Sequence, residues 1–107
     1  MIDPDKIYQH IMSAAKEWTE ADAEARRLKA LDKIVLAEIT NQQDQSLSYA
    51  VRVSMALASP EYRLHITNMV NAKTLANSTF ARYKAAQSLA ELRRSQESSR
   101  RAEMGIR

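Results

Sequence analysis

The side chains that could bind a metal or transfer protons are few, and their spacing does not suit a catalytic site. His10 and His65 are the only histidines, and the chain contains no cysteine. A zinc site needs three or four well-spaced ligands, and neither a His-x-x-x-His nor a Glu-x-x-His pair occurs, although Glu61 lies one turn from His65. We therefore interpret both histidines as surface or helix-packing residues and expect no metal and no cofactor.

Nucleophilic and phosphate chemistry also lack a recognisable arrangement. The serines show neither a nucleophile elbow nor partners for a catalytic triad, and the acidic residues crowd onto polar positions of the first helical stretch. The only glycine is Gly105, so the chain has no glycine-rich phosphate loop. The sequence therefore predicts a protein that is not an enzyme and has no small-molecule substrate.

Basic side chains near the C-terminal end are the best candidates for a binding site. Two arginine doublets lie seven residues apart: Arg93, Arg94, Arg100 and Arg101. On a continuous helix they share one side and could bridge phosphates. Glu97 is three or four residues from each of them and could pair with them instead. No aromatic residue follows Tyr83 to stack on bases. A nucleic-acid surface and a self-paired, solvated helix end both remain open.

The elements that position these residues are predicted to be helices. Residues 4–41 and 60–99 are long helix-forming stretches that flank a short middle segment, and almost no pattern favours strands. At roughly 1.5 Å per residue, each long helix is about 57 Å long. We expect an all-α fold of two long helices joined by a short one, an elongated helical hairpin that self-assembles. Residues 1–99 would form a single domain, with residues 100–107 as a flexible basic tail.

The first long helix carries a regular apolar pattern after a helix start at Asp3 and Pro4. Nine of ten positions on two heptad lines are apolar: Ile7, Ala14, Ala21, Leu28 and Val35 on one line, and Ile11, Trp18, Ala25 and Ile39 on the other. This spacing predicts lengthwise packing on another helix. The exception, Asp32, is interpreted as a surface residue.

The middle of the chain permits two interpretations. Residues 40–45 are polar and form the expected connection, after which Asp44 or Ser46 could cap the next helix. Residues 47–58 alternate between apolar and small or polar side chains, which is typical of a strand. Because nothing else in the chain could pair with a strand, a sheet would have to form between subunits. We favour a short helix.

The second long helix begins at Ser59-Pro60-Glu61, where serine caps and proline takes the first helical position. Its predicted apolar stripe is interrupted by Lys73 and has more polar neighbours than that of the first helix. The members of the stripe are Tyr62, Ile66, Met69, Val70, Ala76, Phe80, Tyr83, Ala86 and either Leu89 or Ala90. Because a thin helical rod has little interior, we expect a homo-oligomer. The predicted interface residues are Ile7, Ile11, Trp18, Leu28, Val35, Tyr62, Ile66, Met69, Phe80 and Tyr83.

Charge is distributed unevenly along the chain. Residues 1–45 hold six basic and nine acidic side chains, whereas residues 46–90 hold five basic and one acidic. The asymmetry suits either pairing between helices or contact of the basic half with nucleic acid. The chain lacks cysteine and any apolar run near the roughly 20 residues that span a bilayer, and Asp3 and Asp5 are unlike a signal peptide. We expect a soluble cytoplasmic protein without a membrane partner.

Short sequence matches in the C-terminal half resemble a family of small helical proteins encoded by bacteriophages and prophages. The matching residues are Pro60-Glu61-Tyr62, Lys84-Ala85-Ala86, and Arg94-Ser95-Gln96-Glu97 followed by Arg101. The family has no assigned activity, so the resemblance implies phage or prophage origin and an association with phage DNA metabolism. The expected function is a non-enzymatic, oligomeric accessory protein that binds nucleic acid or a phage or host recombination or replication protein. The alternative is a structural adaptor that makes protein contacts only.

Overall fold

A computed structural model describes residues 3–105, which form three helices. Helix α1 is Pro4–Asn41, α2 is Tyr49–Leu57 and α3 is Pro60–Glu103, with no strand within the described residues. The prediction of an all-α fold with two long helices joined by a short one is confirmed. The middle segment is helical, so its alternating pattern reflects a short amphipathic helix rather than an intersubunit strand.

The start of α1 has the local structure that its sequence predicts. Asp3 Oδ1 accepts a hydrogen bond of 3.0 Å from the backbone N–H of Asp5. Its carbonyl accepts from the N–H groups of Lys6 and Ile7 at 3.0 and 3.2 Å. These bonds satisfy donors that the first helical turn leaves free, and Pro4 has no N–H to satisfy.

The connection between α1 and α2 differs from the prediction in its cap. Ser48 is the N-cap of α2, and its Oγ accepts from the backbone N–H of Val51 at 3.3 Å. The prediction of Asp44 or Ser46 as the cap was wrong, because Asp44 closes the preceding turn instead. Its Oδ1 accepts from the Ser46 N–H at 2.9 Å, and this hydrogen bond holds the pKa of Asp44 below its usual value.

The junction between α2 and α3 confirms the predicted cap. Ser59 Oγ accepts from the backbone N–H of Tyr62 at 3.2 Å and donates to the carbonyl of Ala56 at 2.6 Å. A single side chain therefore serves the end of α2 and the beginning of α3. Pro60 takes the first position of α3, where its missing N–H costs nothing.

Helix α3 continues through Glu103, so residues 100–103 of the predicted tail are helical. Gly105 follows with φ of 70°, a conformation that favours glycine and ends helices. Whether residues 100–107 form a flexible arm stays a prediction. Parts of the predicted domain and tail, residues 1–2 and 106–107, lie outside the described residues.

The described chain divides into two compact units. The first contains the residues up to Thr19 and those from Asn77 onward, and the second is Glu20–Ala76. Within each unit, segments of α1 and α3 pack antiparallel. In the first unit His10 and Leu89 line one groove, and Glu17 lies near Arg82. In the second unit Asp32 contacts Tyr62.

Most buried apolar residues are alanines, whereas many large apolar side chains are exposed. The buried apolar residues are Ala14, Ala21, Ile39, Ala56, Ala76 and Ala86, and no large side chain among residues 3–105 is fully buried. The exposed ones include Tyr8, Met12, Ile34, Tyr49, Leu64, Val70, Leu75, Phe80, Leu89 and Leu92. Alanine permits close helix approach, so the long helices pack through small residues. Much apolar surface is left in contact with water.

The buried face of α3 agrees with the predicted stripe in part. Most predicted members are buried or half-buried: Tyr62, Met69, Ala76, Tyr83, Ala86 and Ala90. Ile66, Val70 and Phe80 are exposed instead, and the polar residues His65 and Thr79, which the prediction left out, are buried. A pattern scored on hydrophobicity passes over polar residues at packed positions.

Candidate interaction surfaces

Three aromatic rings meet in the first unit and join α1 to α3. The ring centroid of Trp18 lies 5.5 Å from that of Tyr83, with the planes 14° apart, and 4.9 Å from that of Phe80 at 56°. Aromatic pairs at such distances contribute about 0.5–1.5 kcal/mol each beyond area burial. Gln87 Nε2 also donates to Tyr83 Oη at 2.8 Å. We call Trp18, Phe80 and Tyr83 the aromatic cluster.

A polar cluster joins the same two helices in the second unit. Tyr62 Oη donates to Asp32 Oδ1 at 3.0 Å, and His65 Nε2 lies 3.2 Å from the same oxygen. The rings of Tyr62 and His65 are 6.0 Å apart. Asp32 is therefore a packing residue, and its interpretation as a surface residue was wrong. We call these three residues the Asp32 cluster.

The side chains of the Asp32 cluster differ in how far they are buried and in whether their polar atoms have hydrogen-bond partners. Only 9% of the His65 surface is exposed, against 34% of the Asp32 side chain. His65 Nε2 is buried and has no hydrogen-bond partner among the described residues, although Asp32 Oδ1 lies 3.2 Å away. The contact is an ion pair only when the imidazole is protonated. Burial raises the pKa of Tyr62, and the hydrogen bond to Asp32 and its negative charge raise it further.

The first unit contains a groove between α1 and α3 with a volume of about 400 Å³. Half of its lining residues have small side chains, namely Ser13, Ala14, Ala85 and Ala86, and the others are His10, Glu17, Arg82 and Leu89. Glu17 Oε2 and Arg82 Nη1 are 3.8 Å apart at one end, and both side chains are more than half exposed. We call this feature the alanine groove.

Comparisons with known protein families, curated proteins and solved structures find no match to this chain. What these surfaces could bind is therefore inferred from their geometry alone. Among residues 3–105, no three or more histidine, cysteine, aspartate or glutamate side chains are grouped so that they could hold a metal ion. None of the helices that the structure describes has the length and apolar character needed to cross a bilayer.

The predicted arginine site lies on the last turns of α3, where its members are not equivalent. Arg94, Arg100 and Arg101 are exposed, and Arg100 and Arg101 line a shallow pocket with Glu97. Arg93 is half-buried, and its Nε is covered without a hydrogen-bond acceptor in the described chain. Arg93 therefore presents less of its guanidinium to a ligand than its three neighbours do.

The predicted oligomer-interface residues also separate into two groups. Eight are half-buried within the single chain: Ile7, Ile11, Trp18, Leu28, Val35, Tyr62, Met69 and Tyr83. Ile66 and Phe80 are exposed. A role for any of them in an oligomer stays a prediction. Leu92 was not among the predicted interface or stripe residues. It is exposed and follows Ala85 and Leu89 at intervals of four and three residues, so the three lie along one side of α3.

The short helix α2 has an exposed apolar patch of its own. Val51 and Met55 are exposed one turn apart and line a shallow depression together with Ala50, Ser54 and Ala58. Tyr49 and Leu57 are also exposed, at other positions around the helix. Arg52 points elsewhere, since its Nη1 donates to Gln45 Oε1 at 3.2 Å and its Nε is buried. This second apolar patch adds to the exposed apolar surface of the long helices.

Proposed function

We propose that this protein is a non-enzymatic accessory protein that acts in the cytoplasm as a homo-oligomer and works through protein contacts. One observation carries the proposal: all buried apolar residues of the described chain except Ile39 are alanines, whereas many large apolar side chains, among them Leu64, Leu92 and Met12, are exposed. Large exposed apolar surface is typical of interaction sites in soluble proteins.

The free energy available from burying this surface is of the same order as the cost of association. Full burial of one large apolar side chain contributes about 1.5–3 kcal/mol. Association costs an estimated 4–15 kcal/mol in lost freedom, so burial of two exposed leucines from each of two copies begins to offset it. Leu64, Leu75, Leu89 and Leu92 are all exposed on α3. A homo-oligomer is therefore the simplest way to remove them from water.

Sedimentation equilibrium over a range of protein concentrations tests this proposal directly. The chain has a mass of 12.1 kDa, and we expect a species of at least twice that mass at micromolar concentration. Addition of a DNA duplex should leave the mass unchanged if the protein makes protein contacts only. A folded, fully helical monomer at all accessible concentrations would contradict the proposal.

Nucleic-acid binding is the second candidate, favoured by the exposed arginines at the end of α3. Arg94, Arg100 and Arg101 could each neutralise a phosphate. Replacing all three by alanine should then weaken DNA binding and reduce the slope of log affinity against log salt by roughly three units. The matched control removes three exposed basic residues elsewhere: Lys33, Arg63 and Lys84. Equal loss in both variants would indicate a net-charge effect and no site.

Phage or prophage origin is also part of the proposal, and it rests on the C-terminal sequence resemblance alone. The matching residues include Pro60-Glu61-Tyr62, which begin α3 and place Tyr62 in the Asp32 cluster. If the origin is correct, the gene should lie among phage recombination or replication genes. A location among unrelated chromosomal genes would count against it.

A further inference from the structure

We propose that the alanine groove is the surface through which two copies of this chain form a dimer. This inference rests on the proposed homo-oligomer and names its interface. The groove holds about 400 Å³, many times the roughly 30 Å³ that one water molecule occupies in the liquid. Its lining of Ser13, Ala14, Ala85 and Ala86 leaves room for larger side chains from a partner.

The residues that could fill this space are present on the same surface. Leu89 lines the groove and is 43% exposed, and Leu92 lies three residues later on α3 and is 55% exposed. Large side chains beside small ones make a surface that can interdigitate with a copy of itself. Burying these leucines against the partner's alanines would provide the apolar part of the contact.

The opposite charges on the two sides of the groove are complementary to those of a second copy in one orientation. Glu17 lies on the α1 side and Arg82 on the α3 side, at the same level along the groove. A two-fold axis parallel to the groove brings α1 of each copy opposite α3 of the other. Glu17 of one copy then faces the Arg82 of its partner, and Leu89 faces the Ser13 side. A perpendicular axis would instead place acidic α1 against acidic α1 and lose this complementarity.

Charge-reversal variants test the orientation. Glu17→Lys and Arg82→Glu should each weaken self-association about tenfold at low salt, because like charges then face each other twice across the two-fold axis. An equimolar mixture of the two variants should restore association, since the mixed dimer regains both opposite-charge contacts. If the two charges interact only within one chain, mixing restores nothing and the proposal falls.

A charged substitution at an apolar residue of the groove tests the position of the interface. Leu89→Arg should weaken self-association by roughly 100-fold, as judged by sedimentation equilibrium, while far-UV circular dichroism shows unchanged helicity. Met12→Arg and Lys84→Glu are the controls, because these exposed residues lie on other sides of their helices. Both should associate like the wild type.

The outcomes separate this interface from the proposed function. If the wild-type protein is an oligomer and Leu89→Arg and both charge variants associate equally well, the groove is not the interface although the oligomer stands. If the wild-type protein is a monomer, the groove is open to another occupant and both proposals fail.

Discussion

The two units hold their helices together by different means. In the first unit Trp18 stacks on Tyr83 and packs against Phe80, so the contact is apolar. In the second unit Asp32 accepts a hydrogen bond from Tyr62 and lies beside His65. Apolar burial is strong but nearly indifferent to small shifts in alignment, whereas a buried polar cluster is satisfied at one alignment only. The difference suggests that stability and register are specified at separate places.

This division matters because an interface built from alanines does little to fix how far one helix is shifted along the other. Ala14 and Ala21 are both buried and lie one heptad apart on α1. A shift of α1 by one heptad would therefore place one of these alanines where the other had been. The same shift would remove Asp32 from Tyr62 and His65, and a single polar residue at a packed position can fix register in this way.

The largest effect should come from Trp18→Ala in the aromatic cluster. We expect the free energy of unfolding to fall by about 3 kcal/mol, the lower end of the range for tryptophan truncation, because Trp18 is half-buried. Urea denaturation followed by circular dichroism measures this change, at one fixed protein concentration because association contributes to stability.

Trp18→Phe is the matched control for this prediction. It keeps a ring that can pack against Phe80 and Tyr83, so most of the lost stability should return. If Trp18→Ala and Trp18→Phe destabilise the protein equally, the ring contacts do not stabilise the first unit. Apolar packing would then not be what distinguishes the first unit from the second.

The second largest effect should come from Asp32→Ala in the Asp32 cluster. The Tyr62 hydroxyl loses its acceptor and His65 loses its only charged neighbour in the cluster, so we expect a loss of about 1.5 kcal/mol. Asp32→Asn should cost less, because its amide oxygen can still accept from Tyr62. Denaturation by urea measures both variants, and equal losses would argue against the hydrogen bond.

A triple variant separates register from stability. Asp32→Leu with His65→Leu and Tyr62→Phe replaces the whole polar contact by an apolar one and leaves no hydroxyl without its acceptor. Such a replacement is often neutral or stabilising in protein interiors. We expect unchanged or raised stability together with more than one helix alignment, visible as multiple sets of amide signals in NMR spectra. One set of signals at wild-type positions would show that the Asp32 cluster does not fix register.

The sequence predicts α1 better than α3, for reasons that specific residues show. All heptad positions read from α1 are buried or half-buried, including Asp32, because its apolar residues coincide with the packed positions. In α3, His65 and Thr79 occupy packed positions and their burial depends on groups from elsewhere in the fold. The alanine groove was not predictable, since alanine is compatible with both buried and exposed helix positions.

A smaller effect should come from Ser59→Ala, which tests whether the second unit depends on hydrogen bonds at its helix ends as well. Ser59 Oγ caps α3 and also donates to the α2 carbonyl of Ala56. We expect a loss of about 1 kcal/mol, within the usual range for an N-cap serine. Ser48→Ala is the control, because Ser48 is exposed and caps only the short α2. Urea denaturation should show the greater loss for Ser59→Ala.

The smallest effect should be a change in how stability depends on alkaline pH. Burial and Asp32 raise the pKa of Tyr62 above its usual value of 10.0, so the folded state holds its phenolic proton more tightly than the unfolded state. The resulting stability is fully present below the unfolded pKa and is lost as pH rises through the folded pKa. Tyr62→Phe should therefore show a flatter decline of urea midpoint above pH 10 than the wild type. Tyr49→Phe, at an exposed tyrosine of the same unit, should leave the wild-type slope unchanged. If the wild type and Tyr62→Phe show identical slopes, the Tyr62 hydroxyl holds its proton no more tightly in the folded protein than in the unfolded chain. The contact between Tyr62 and Asp32 would then be too weak to fix the register of the helices.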